Sequence, residues 1–153
     1  MLKGITSGLV FCVQEAKVKQ QHKNKLKYVF KKMTLGIYSV QNHIVDGLAT
    51  FYDGNFYNLV NTEVIVPGRA TKVSLFAPSC NRNLHIYNIY SHANPNEKNA
   101  AYNLFVSLNL SLDNVPADDA CVVCGDFNQD ISFHNNIVTK EILKMIKKHI
   151  LRY

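Results

Sequence analysis

Two strand-like runs in this sequence end on groups able to handle a metal ion, a water molecule and a phosphate. In "CVVCGDFNQD" (121–130) an apolar run breaks at Gly125 into Asp126, Phe127 and Asn128. Side chains alternate faces along an extended segment, so Asp126 and Asn128 point the same way while Phe127 turns back to the apolar side. A carboxylate and an amide thus become neighbours at a strand's end. In "LVFCVQEAK" (9–17) a second apolar run stops at Gln14 and Glu15. If both strands lie in one core sheet, Glu15, Asp126 and Asn128 meet at one edge. A Glu and an Asp converging in a basic chain are the oxygen ligands expected for Mg²⁺, which keeps most of its waters and takes only one or two carboxylates. Each motif also has a plain structural reading, because Gly, Asp and Asn are turn residues and acids are common at strand ends.

Positioning these groups requires a core of strands and helices. Apolar runs rich in β-branched and aromatic residues occur at 9–13, 47–53, 62–66, 72–76, 84–90 and 120–124, which predicts at least five strands. Turn chemistry at 53–55, 67–69 and 78–83 makes 47–90 read as consecutive antiparallel hairpins. "LHIYNIY" (84–90) alternates only partly, which predicts cover on both faces. A helix is predicted over 94–112, with Asn94 as N-cap, Pro95 at the first helical position and Glu97 where a capping box places it. Its apolar stripe is Ala101, Leu104, Phe105, Leu108 and Leu112. A second helix is predicted over 139–153, with Ile142, Ile146 and Ile150 on one face, Leu143 beside them, and Lys144, Lys147, Lys148 and Arg152 around them. Segment 17–32 carries a weaker helical signal. No internal repeat, low-complexity tract or linker divides the chain, so one domain or part of one is expected.

Composition narrows the class of molecule. The 153 residues are 47% apolar and 18% charged, a globular balance. No apolar stretch approaches the ~20 residues that cross a bilayer. The N-terminal apolar run closes on Gln14 and Glu15 without a small-residue cleavage pattern, which argues against secretion. The net charge of +6 gathers in 17–32 and 140–153 and favours a polyanionic partner, nucleic acid or an anionic membrane surface, although Lys-rich helices also present simple solvated faces. Cys121 and Cys124 have C-x-x-C spacing, but positions three apart on a strand face opposite sides, so the pair reads as small buried apolar residues. Such cysteines suit a reducing compartment. The expected location is intracellular, nuclear or cytoplasmic.

At this point the residues carry a resemblance. "FCVQEAK" is similar to the Gln-Glu strand end, and "VVCGDFNQ" to the Gly-Asp-Phe-Asn strand end, of the endonuclease/exonuclease/phosphatase superfamily, the Mg²⁺-dependent phosphodiesterases related to abasic-site endonucleases and DNase I. Between them "DGLATFYD" resembles that family's Gly-containing third strand, and "LHIYNIYSHANPNEKNAAYNLFVSL" its Tyr-bearing strand and following helix. Four elements in the right order span about residues 9–130. "VIVPGRATKVSL" with "YNIYSHANPNE" is most similar to the endonuclease domains of LINE-type retrotransposons. The resemblance implies the α+β class, a partial four-layer α/β/β/α sandwich with mostly antiparallel sheets, and a single incomplete domain over 1–153.

It also implies roles. Glu15 would hold Mg²⁺ (or Mn²⁺), Asp126 would orient or deprotonate the attacking water, Asn128 would hold water or phosphate, and the Tyr90 hydroxyl would contact the scissile phosphate. Lys17, Lys19, Lys23 and Arg69 would contact a DNA or RNA backbone, and His92, which follows Ser91 where the family often has Ala-Pro, would bring an imidazole near the site. Several family features have no counterpart. The family's first strand carries an Asn near the metal, and Asn42 and Asn58 come too late to replace it. Its later Asp and Asp-His pair are absent from "QDISFHNNIVTKEILKMIKKHILRY"; His134 and His149 lie outside that motif and read as ordinary histidines. Losing such an electrostatic partner typically costs on the order of 10²–10³ in rate. A sandwich without its second half would expose sheet, leading to self-association or to cover by the C-terminal helix where the missing strands belong. Three readings follow: a Mg²⁺-dependent endonuclease-like enzyme, impaired in this chain; a non-catalytic basic remnant that binds nucleic acid or another protein; and a phosphodiesterase acting on a lipid or inositol phosphate.

Overall fold

The structure, a computed structural model, describes residues 8–42, 44–130, 132 and 136–150. Period-two alternation and turn residues build two sheets. The first, in the order β1-β3-β2, is antiparallel and joins β1 (Val10–Val13), β2 (Thr34–Ser39) and β3 (Leu48–Tyr52). The second has the order β4-β5-β6-β7, from β4 (Asn58–Val66), β5 (Ala70–Ala77), β6 (Arg82–Tyr90) and β7 (Ala120–Asp126). Its first three strands are antiparallel hairpins, and β7 runs parallel to β6. Parallel neighbours need a crossover, which here is helix α2 (Lys98–Asp113). Helix α1 (Asn24–Val29) follows β1, and α3 (Ile137–Met145) continues into a π-helical turn, Ile146–Ile150.

Three apolar clusters hold four layers together. Between the sheets, Tyr52, Val73, Leu75 and Ile86 pack with Val10, Cys12, Ile37 and Cys124. The outer face of the first sheet, Tyr38, Ala49 and Phe51, is covered by Leu26, Phe30 and Met33 from the α1 segment. On the outer face of the second sheet, Tyr87 and Ile89 lie under Leu104, Phe105 and Leu108 of α2 and Val138, Ile142 and Met145 of α3. The layers are therefore α/β/β/α, and burial of each large side chain contributes roughly 1.5–3 kcal/mol. β6 is covered on both faces, as its partial alternation predicts: Ile86 faces the first sheet, and Tyr87 and Ile89 face the helices.

Several expectations need correction. β1 and β7 do not share a sheet; they belong to different sheets whose ends lie together. Strand 48–52 is not the first of the consecutive hairpins either, because it pairs with β1 and β2. β2 went unpredicted: its run "TLGIYS" is short, polar at both ends and interrupted by Gly36 at a register shift. Segment 17–32 yields only a 3-10 turn (Gln20–His22) and the six-residue α1. Glu97 forms no capping box. Asn94 does cap, accepting from Asn96 N at 3.0 Å, but over the 3-10 turn Pro95–Glu97 that leads into α2. Cys121 is exposed rather than buried, since β7 is an edge strand. α3 packs beside α2 on the outer sheet face, and among the described residues no strand pairs with that edge. Of the expected helical face, Ile142 is buried and Ile146 packs against the core, whereas the Ile150 side chain, like His134, lies outside the described residues.

Candidate active site at the strand ends

A buried amide brings the two sheets into register at this end. Asn88, fully buried on β6, donates from Nδ2 to Val13 O at 3.2 Å and Ala49 O at 3.1 Å, and its Oδ1 accepts from Gln14 Nε2 at 2.6 Å. One side chain thus ties β6 to β1 and β3. Buried polar atoms demand partners, so this link is specific as well as cohesive. Immediately beyond it, Ala16 N donates to Gly47 O at 3.0 Å, and the chain turns through left-handed Glu15 (φ 51°) and Lys17 (φ 50°). Left-handed backbone is uncommon for such residues and costs of order 1–3 kcal/mol, a strain that concentrates at functional sites.

Glu15 is the hub of the cluster. Its Oε1 accepts from the Tyr90 hydroxyl at 2.6 Å, and its Oε2 lies 2.7 Å from Lys17 Nζ. Tyr90 ends β6, and the Arg69 guanidinium lies 4.7 Å from its ring centroid. Arg69 is placed by the β4–β5 turn, where Gly68 (φ 67°) donates to Ser39 Oγ at 3.0 Å and a Cβ would stand 2.6 Å from Asp46 Cγ. Its carbonyl accepts from Tyr90 N at 2.9 Å. The Lys17 hydrogen bond, and then that of Tyr90, hold the Glu15 carboxyl below its ordinary range. Donation to Glu15 and burial push the Tyr90 hydroxyl up. At neutral pH the pair is therefore carboxylate and neutral phenol.

β7 delivers the other carboxylate. Register pairs Ile89 with Gly125 and Tyr90 with Asp126. At Gly125 (φ 133°) a Cβ would meet Ile89 O at 2.0 Å, so only glycine lets the strands approach here. Ser91 N continues the ladder to Asp126 O at 2.8 Å. Asp126 Oδ1 accepts from Asn128 N at 3.0 Å, and left-handed Asn128 (φ 48°) donates from Nδ2 to Ser91 O at 3.0 Å. An amide nitrogen carries two protons, so one remains for another acceptor. Asp126 is exposed, and the strand register sets it beside Tyr90, whose hydroxyl donates to Glu15. Phe127 turns inward as expected and stacks on Phe105, centroids 5.8 Å apart.

Of the residues singled out in the sequence, Glu15, Tyr90, Arg69 and Lys17 form one contact cluster, with Asp126 and Asn128 beside it. The His92 side chain pairs with Glu97: its Nδ1 lies 3.1 Å from Glu97 Oε2. Lys19 and Lys23 flank the turn Gln20–His22 and are exposed. Sequence reasoning missed the Asn88 link and the direct pairing of Lys17 with Glu15. A lone Asn within "LHIYNIY" was the available signal for the first; a left-handed backbone has no sequence signature at Glu or Lys. Among the described residues no group of three or more His, Cys, Asp or Glu is arranged to hold a metal. An exposed carboxylate with a second one nearby does fit a water-rich Mg²⁺, which needs no closed cage. No helix among the described residues is long and apolar enough to cross a membrane.

No protein-family model and no curated protein matches the chain in sequence. Solved structures do match in shape. The human Nocturnin catalytic domain, with bound sulfate, superposes with a TM-score of 0.64 at 20% identity, over 86% of this chain and 54% of that one. The Xenopus laevis APE2 catalytic domain gives 0.66 at 15% identity, over 89% and 58%. D. rerio TDP2, complexed with a single-strand DNA product, gives 0.65 at 13% identity, over 82% and 50%. The chain spans between half and three fifths of these structures. Two mostly antiparallel sheets between helical layers give the chain the DNase I-like fold that these structures share.

Proposed function

We propose that this chain is a Mg²⁺-dependent phosphodiesterase of the nuclease type, related to LINE-type retrotransposon endonucleases, that acts on the backbone of DNA or RNA. The observation that carries this reading is the meeting of Glu15, Tyr90 and Arg69 at the end of β6 where the register sets Asp126 beside Tyr90. Glu15 would hold the cation, with Mn²⁺ as an alternative, and the bound ion supplies Lewis-acid polarisation of a phosphate oxygen. Asp126 takes the proton of a water whose oxygen attacks phosphorus. The ester bond to the leaving sugar oxygen breaks as the new bond forms. Tyr90 and Arg69 stabilise the charge on the non-bridging oxygens, and Asn128 donates its remaining proton to the water or phosphate. Lys17, Lys19 and Lys23 line up along the chain leaving the site as backbone contacts, whose neutralisation of phosphates releases counterions. The DNA product held by the structurally similar TDP2 supports nucleic acid as the substrate class.

One observation favours a second reading, a non-catalytic basic module. Both Glu15 oxygens are already engaged, by Lys17 and by Tyr90.

The deciding experiment is nicking of supercoiled plasmid by the purified chain with Mg²⁺ or EDTA, beside Glu15→Gln and Asp126→Asn. Metal-dependent nicking that both substitutions abolish is the expected result. Folded protein that binds DNA with a steep salt dependence and never nicks it would establish the binding module instead.

A further inference from the structure

Residues 16–45 carry seven Lys and no Asp or Glu. The stretch leaves the site at Lys17, crosses the outer face of the first sheet as α1, and turns into β2. Two features of α1 have no explanation in the packing of the fold. The first is the sign of its charge. The helix dipole favours acids at the N-terminus, yet α1 opens on Lys23, Asn24 and Lys25 with no acidic residue in its first turn and no side-chain cap. The basic residues of α3 differ, because they lie in and beyond its last turn, where the dipole favours cations, and Lys144 and Lys148 pair with Glu141 and Asp113. Among the described residues no carboxylate pairs with Lys25, Lys27, Lys31 or Lys32. The second feature is Tyr28. Leu26 is buried and the Phe30 ring lies 4.5 Å from that of Phe51, centroid to centroid, so the apolar side of this segment is committed to the core. Tyr28 stands on the other side of the helix from Leu26 and is 75% exposed. Lys25 is one helical turn before it, Lys27 adjoins it, and Lys31 and Lys32 follow in the next turn, all exposed.

We propose, resting on the nucleic-acid reading above, that the outer face of α1 binds single-stranded nucleic acid, with Tyr28 stacked on a base and Lys25, Lys27, Lys31 and Lys32 against the flanking phosphates. An unpaired base of any identity offers a free π-face to an aromatic ring, and the phosphates on either side of it supply the negative charge that this face lacks. A duplex keeps its base faces within its own stack and presents only phosphates. An anionic membrane calls for an apolar helical face free to enter the lipid, and Leu26 and Phe30 are already packed on the first sheet. Lys17, Lys19 and Lys23 continue the basic path from α1 back to Glu15, so a strand held at Tyr28 is led toward the ends of β1 and β6.

The chain contains no Trp, so in Tyr28→Trp all tryptophan emission comes from this position. The test titrates that variant, in EDTA, with an oligothymidylate of about 15 nucleotides, with a duplex of the same length and with phosphatidylserine vesicles. Oligothymidylate is expected to quench the emission, and the duplex and the vesicles to leave it unchanged. By fluorescence anisotropy of the labelled strands, Tyr28→Ala should weaken binding of oligothymidylate about tenfold and leave duplex affinity as it is, while Tyr28→Phe keeps the original affinity for both. Lys25→Gln/Lys27→Gln should reduce the slope of log affinity against log salt by about 1.4 on the single strand. Equal losses on single strand and duplex in Tyr28→Ala, bound oligothymidylate without quenching, or quenching by vesicles alone would each overturn the proposal. Quenching by a chain that never nicks plasmid would uphold this surface and remove the nuclease, and nicking without quenching would do the reverse.

Discussion

At the scale of single residues, the site is a competition for Glu15. Its carboxylate is ionised, exposed and neutralised in place by the Lys17 ammonium at 2.7 Å. A divalent ion approaching Glu15 must displace that ammonium or bind beside it against its repulsion. In water-like surroundings so exposed a charge pair is well screened, so relieving it is worth several-fold in affinity and not orders of magnitude. Lys17→Asn removes the charge while keeping a residue that tolerates the left-handed φ of 50°. Mn²⁺ affinity, followed by electron paramagnetic resonance, is expected to rise roughly threefold to tenfold in this variant and to be lost in Glu15→Gln. Unchanged affinity in both would remove Glu15 as the metal ligand.

At the scale of elements, the meeting of β1, β3 and β6 depends on Asn88. Replacing it by Ala leaves the carbonyls of Val13 and Ala49 and the Gln14 amide without their buried partner. Asn88→Ala is expected to lower unfolding stability by about 2–4 kcal/mol in urea titrations. Hydrogen exchange should quicken at β1 while α2 and α3 stay protected, because those helices pack on the opposite face of β6. A uniform loss across both sheets would show that Asn88 has no special role at this seam. Little of this was legible beforehand. Alternation in 84–90 gives β6 its two faces, but whether a polar residue on the inner face is a defect or a link depends on what the other sheet presents.

At the scale of the whole molecule, the second sheet stops at an open edge. β7 pairs only with β6 among the described residues, and Val122 on it is 46% exposed. Free N–H and C=O groups beside an exposed β-branched side chain invite pairing with another strand. A second copy of the chain presents the same edge, so concentration-dependent dimerisation is expected in sedimentation velocity. Val122→Lys, a charge of the kind that blunts natural edges, should shift the protein to monomer without altering its circular dichroism. A monomer at every concentration would instead show that this edge does not pair between copies.

The sequence by itself determined six of the strands, the α2 stripe, the basic balance and the polar groups that end β1, β6 and β7. Those features are local: period-two alternation, helical spacing and turn chemistry act within a few residues, and the ordered set of motifs made the DNase I-like fold recognisable. Tertiary structure decided what local patterns do not carry. It placed β1 and β7 in different sheets, moved 48–52 out of the hairpin series, fastened His92 to Glu97, and set Lys17 against Glu15. The sheet placements depend on contacts between residues far apart in the chain, and the Lys17–Glu15 pair on left-handed backbone that no residue type announces. The groups at the strand ends come from the sequence, and their arrangement around one carboxylate comes from the packing of two sheets.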